Sequence, residues 1–146
     1  MPITENDIIE FSNEFHELSM VKKGTAAEQA EFFLYPEPVI IVLHGTDISL
    51  QKNYEIHQQL VDEIHIPQKN WLVTPLLNQP ERVRAEGCVY WEGRLKNSKD
   101  NAKIKCFVGE DWIVQRTDTG ELKFVLYINS YHLINALMHC MHLQSY

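Results

Sequence analysis

The sequence predicts an α+β domain whose helices occupy the first half of the chain and whose antiparallel strands occupy the second. Three observations carry this reading. Two capped segments with helical spacing open the chain. A short β-branched run, Val39–Leu43, follows them. Arg82–Lys96 then alternates apolar and polar residues with a period of two, the signature of a sheet with one apolar face. The 146 residues are read as a single domain, 1–146, a length that carries its own core.

Thr4 and Asp7 form a capping-box start, in which side-chain oxygens satisfy the orphan amides of the first turn. Ile8, Phe11, Phe15 and Leu18 follow at helical spacing and make one apolar stripe. Lys22-Lys23-Gly24 closes this helix, over residues 4–20, because cations suit its carbonyl end and glycine its C′ position. Thr25 with Glu28 repeats the capping box, and a second helix over 25–35 runs to Pro36 and Pro38. Val39–Leu43 reads as a buried strand. His44-Gly45-Thr46-Asp47 turns the chain. A third helix is predicted from Ser49 to Ile66, with Ile56, Leu60 and Ile64 inside and Pro67 ending it.

Four strands are expected next. The first spans Asn70–Asn78. In the second, Val83, Ala85, Gly87, Val89, Trp91, Gly93 and Leu95 share one face. Ala102–Thr117 is the third, with Gly109 marking a bulge. After the turn Asp118-Thr119-Gly120, Leu122, Phe124, Leu126 and Ile128 alternate along the fourth. Ser130 then caps a short final helix bearing Leu133, Ile134, Leu137 and Met141.

Composition excludes some partners. The formal charge is −7, which disfavours nucleic acid and anionic membranes, both of which reward Lys and Arg. The start of the chain shows no basic and apolar regions of a signal peptide, and no apolar stretch is long enough to span a bilayer. Cys88, Cys106 and Cys140 are odd in number, lack metal spacing, and read as reduced thiols of a cytoplasmic protein.

Several residues are candidates for chemistry. His44 ends the first strand, where an imidazole could act as general acid or base. His57 borders the apolar face of the third helix and could pair with His44 or a carboxylate. Of Glu110 and Asp111, alternation turns one inward unless a bulge at Gly109 leaves both wet; Asp111 is taken as the assisting carboxylate. Phe15, Trp71, Trp91, Trp112 and Tyr127 are candidates to line a pocket for a small apolar or aromatic ligand, or to fill the core. His16 and His65 read as solvent-facing and without a role. His132, His139, Cys140 and His142 share spacing but no carboxylate, so no metal and no cofactor are expected.

The order of elements resembles the NTF2-like superfamily, which includes SnoaL-like cyclases, scytalone dehydratase and ketosteroid isomerases. The resemblance covers roughly residues 4–130. It rests on Glu31-Phe32-Phe33-Leu34-Tyr35-Pro36-Glu37-Pro38-Val39, on His44-Gly45 before a helix, and on Asp111–Arg116 turning through Gly120 to Lys123–Tyr127. It implies a cone: a strongly bent, mainly antiparallel sheet with three N-terminal-half helices on its concave face and a pocket between. It implies a homodimer built on the outer sheet face. The function it implies is cofactor-free isomerisation, dehydration or cyclisation in an apolar pocket by histidine acid–base chemistry. A non-catalytic binding or assembly module is the alternative. Ketosteroid isomerases carry a tyrosine on the first helix and a carboxylate after the first strand; here those places hold Phe11 or Phe15 and Leu43-His44.

Overall fold

A computed structural model describes residues 1–35, 40–42, 46–97 and 99–130. The expected final helix, His44 and the histidines and cysteine of the last segment lie outside them.

The N-terminal caps form as the residue types dictate. Thr4 Oγ1 accepts from the Asp7 amide at 3.2 Å, and the Asp7 carboxylate accepts from the Thr4 amide at 2.8 Å. Helix α1 runs Glu5–His16 and passes into a π-helical turn, Glu17–Val21. Lys23 then takes the left-handed conformation, with φ 55°. The Thr25–Glu28 box starts α2, which spans only Ala26–Ala30. It ends sooner than expected because Phe32 and Leu34 exchange backbone hydrogen bonds with Phe124, so the chain beyond α2 feeds the sheet.

Strands β1 (Ile40–Val42) and β2 (Thr46–Ile48) form a short antiparallel pair. Helix α3 starts at the Ser49 cap but spans only Leu50–Gln58. The predicted continuation to Ile66 is instead strand β3, Leu60–Pro67. Its apolar spacing fits either period, and pairing with β5 decides: Ile64, Ile66 and Pro67 lie opposite Glu92, Tyr90 and Val89. Ile56 and Ile64, expected inside, are 38% and 43% exposed. Strands β4 (Leu72–Leu76), β5 (Gln79–Leu95), β6 (Ile104–Arg116) and β7 (Leu122–Ser130) form the expected meander.

The described strands form one sheet in the order β2-β1-β7-β6-β5-β3, with β4 also on β5. Every pairing is antiparallel except β1 with β7. No bulge forms at Gly109, which pairs in register with Cys88. The register shift lies further on, between Ile113 and Val114 against β7.

One face of the sheet holds the core. Ile8, Phe11 and Phe15 of α1 meet Val83, Ala85, Val89, Trp112, Val114 and Phe124, all buried. Trp71 lies across Gly87, where side-chain volume is missing. A β-carbon at Gly87 would stand 2.1 Å from the Trp71 indole. Gly87→Ala is therefore expected to destabilise the fold by about 1–3 kcal/mol, the usual cost of overpacking. Urea unfolding measures this, and an unchanged midpoint would refute the close packing.

Candidate functional site

The inner face of the sheet carries polar side chains among its aromatics. His16 ends α1 and is 2% exposed. Its Nδ1 lies 2.7 Å from the Ser12 carbonyl oxygen. A carbonyl only accepts, so Nδ1 carries the proton and Nε2 presents a lone pair. The Tyr127 hydroxyl donates to that Nε2 at 3.0 Å. Burial holds the imidazole neutral, its pKa lowered from 6.5 to about 3.

His65 comes from the inward face of β3, two residues beyond Glu63. Its ring stacks on His16 with centroids 3.3 Å apart. Both ring nitrogens are buried and have no hydrogen-bond partner among the described residues. Burial also pushes its pKa well below the ordinary histidine value. A buried imidazole with two idle nitrogens is costly and is suited to a guest that supplies a donor or acceptor.

Glu110 completes the cluster from β6. Its Oε2 accepts from Trp112 Nε1 at 2.9 Å and from Asn129 Nδ2 at 2.6 Å. Burial nevertheless raises its pKa well above the usual carboxylate range, which favours the protonated carboxyl over the carboxylate. Burial and the neighbouring Glu110 likewise raise the Tyr127 phenol. Ligand atoms of His16, His65 and Glu110 all lie within 4.8 Å of one another.

A second carboxylate, Glu63, behaves in the opposite way. It accepts from Lys23 Nζ at 2.7 Å, from His57 Nδ1 at 2.8 Å and from Trp91 Nε1 at 3.1 Å. Burial raises its pKa, but the bonds and charges of His57 and Lys23 outweigh that and leave it lowered. His57 thus meets a carboxylate, as one of its expected pairings had it, but on the rim of the cluster.

A cavity of about 200 Å³ opens between the π-helical turn and β3, with His16, Glu63 and His65 on its wall and Met20 and Val21 beside them. The expected aromatic lining is packed instead. Phe15 meets Phe124 and Tyr127 edge to face at 5.2 and 5.7 Å. Trp112 stacks on Tyr127 at 5.4 Å and lies 4.8 Å from Trp71. Trp91 is engaged with Glu63. Asp111 faces out, paired with Arg84 at 2.7 Å; Glu110 takes the inward place. His16 and His65, read as solvent-facing, form the centre of the cluster. The signal for His16 was the run Ser12, His16, Ser19 beside the apolar stripe of α1. For His65 it was its two-residue spacing from Glu63.

Solved structures share this fold at low sequence identity. An NTF2-like superfamily protein from Salmonella enterica covers 86% of this chain and 88% of its own, with 10% identity and a TM-score of 0.63. A dehydratase candidate of the NTF2-like family from Streptomyces avermitilis covers 87% and 97%, with 11% identity and a TM-score of 0.63. The fold is NTF2-like. A hexachlorocyclohexane dehydrochlorinase from Novosphingobium barchaimii superposes over 84% of this chain and 82% of its own, at 16% identity and a TM-score of 0.61. No family model and no curated protein matches the sequence. In NTF2-like terms the His16–His65–Glu110 cluster lies between the helices and the inner face of the sheet.

The raised pKa of Glu110 makes a pH prediction. A carboxyl whose folded pKa is raised binds a proton that the unfolded chain has lost above about 4.5, so stability declines as pH rises beyond that value. Glu110→Gln copies the protonated form and has no proton to lose. The variant is expected to be more stable than the parent at pH 7–8, with the advantage shrinking toward pH 4. Chemical denaturation across that range reads it, and a variant less stable at pH 8 than at pH 4, relative to the parent, would contradict the raised pKa of Glu110.

Proposed function

We propose that this NTF2-like protein binds a small molecule and moves a proton on it without a cofactor, in the His16–His65–Glu110–Tyr127 cluster. The observation that carries the reading is His65. Among the described residues its buried ring nitrogens have no partner, and beside them stands a carboxyl whose pKa burial raises well above the usual range. A base and an acid of this kind, with pKa values pushed apart by their surroundings, are what acid–base catalysis requires.

The proposed reaction class is elimination or isomerisation next to a carbonyl. His65 takes the proton from carbon as the C–H bond breaks. In a dehydration the electron pair forms the C=C bond, the C–O bond breaks, and Glu110 protonates the departing hydroxide to give water. The imidazolium and carboxylate left behind stand within 4.8 Å of one another, a gap that one water molecule bridges to return the proton and reset the site. His16, locked by the Ser12 carbonyl, orients Tyr127. The dehydratase candidate and the dehydrochlorinase among the structural neighbours favour eliminations. The cavity is smaller than the roughly 300–1,000 Å³ of common ligand sites, so the substrate is small, its apolar part against Met20 and Val21.

A panel of small β-hydroxy ketones and β-hydroxy acids in deuterated water tests this by nuclear magnetic resonance. Solvent-proton exchange or loss of water is expected with the parent protein. His65→Ala should slow it about 10²–10⁴-fold, and His57→Ala should retain most of it. Absence of binding and exchange across the panel, with the fold intact, argues for a non-catalytic module.

The outer sheet face supports a homodimer as a second feature of this reading. Ile64, Ile66 and Leu72 are 43%, 50% and 61% exposed there, beside the Tyr90–Phe107 ring pair. A stable interface would cover about 800 Å² per partner. Light scattering should report twice the monomer mass of 17.1 kDa, and Ile66→Lys should halve it; a monomer at working concentration sinks this reading. Among the described residues no helix is long and apolar enough to cross a membrane.

A further inference from the structure

We infer that His16, His65 and Glu110 also form a binding site for one divalent transition-metal ion, ligated by two imidazole nitrogens and one carboxylate oxygen. The inference rests on this cluster being the functional site but not on proton transfer. The three groups offer ligand atoms within 4.8 Å of one another. Around an ion at about 2.1 Å, ligand atoms lie about 3.4 Å apart, a difference that small side-chain rotations cover. His65 is the movable member, since its stacked ring turns without breaking any hydrogen bond of its own among the described residues.

The surroundings fit ligation. The Ser12 carbonyl accepts the Nδ1 proton of His16, the outer-shell contact that fixes a ligating imidazole and frees Nε2. Trp112 and Asn129 both hold Oε2 of Glu110, which leaves Oε1 for the ion. An ion displaces the Tyr127 hydroxyl from His16 Nε2, and that hydroxyl has Glu110 as its alternative acceptor. The cavity beside His16 and His65 gives an open side for water or a small-molecule oxygen.

The donor set selects the ion. Two nitrogens and one oxygen suit Zn²⁺, Co²⁺, Fe²⁺ or Mn²⁺; Ca²⁺ and Mg²⁺ prefer oxygen alone, and Cu⁺ prefers sulfur. The ion takes the same lone pair of His65 that would accept a proton, so ion occupancy and metal-free proton transfer exclude each other.

Titration of the full chain with cobalt chloride tests the site, read by visible absorption and calorimetry. The expected result is saturation at one equivalent, reversal by zinc chloride, and loss of the signal in His65→Ala and in Glu110→Gln. A His139→Ala/His142→Ala variant should keep it. The parent protein, folded by circular dichroism, giving no saturable signal overturns the proposal. So does a signal that survives in His65→Ala and Glu110→Gln but disappears with the distal histidines. Proton exchange assayed in chelator-treated protein reads the acid–base function separately, so either reading can fail alone.

Discussion

From Arg82 opposite Gln115 to Gly93 opposite Ile104, β5 and β6 pair without a register shift, and the placement of the interior follows from that ladder. Side chains alternate between faces with a period of two, so a slip by one residue would exchange the whole set. In this register Glu110 and Trp112 point in while Asp111 and Ile113 point out. The same ladder sets Gly87 opposite Glu110, and its missing side chain gives Trp71 its seat. Trp112 then receives Trp71 on one side and Tyr127 on the other. The shift between β6 and β7 comes only beyond Ile113, after Tyr127 and Asn129 have been brought beside Glu110.

The two inward carboxylates show how neighbours decide charge. Glu63 is surrounded by donors, two of them on basic side chains, so ionisation is favoured despite burial. Among the described residues Glu110 meets the neutral partners Trp112, Asn129 and Tyr127, which do not repay the loss of water. One site is therefore an anion bracing Lys23, His57 and Trp91. The other is a carboxyl whose pKa burial raises, next to a neutral imidazole pair.

Aromatic side chains make up 10% of the sequence, and they fill rather than line the inner space. Phe15, Trp112, Phe124 and Tyr127 interlock at centroid distances of 5.1–5.7 Å, which leaves the opening beside the π-helical turn. Such turns often accompany functional sites. Here the turn begins directly after His16, and residues at its end stand over the cavity.

The sequence by itself determined the helix starts, the long alternating strands and the apolar face of β5, because caps and periodicity are local properties. It determined too little at Leu60–Pro67, where the apolar spacing suits helix and strand alike and only the free edge of β5 selects the strand. His16 and His65 looked exposed because each lies off the apolar stripe of the helix expected for its segment. Their burial comes from partners far along the chain, above all Tyr127, 111 positions from His16. Glu110 and Asp111 are equivalent carboxylates one residue apart; the absence of a bulge at Gly109 is a property of the β5–β6 ladder, not of the local sequence. The tertiary structure therefore decided the site, because its groups come from one helix and three strands whose meeting depends on long-range register.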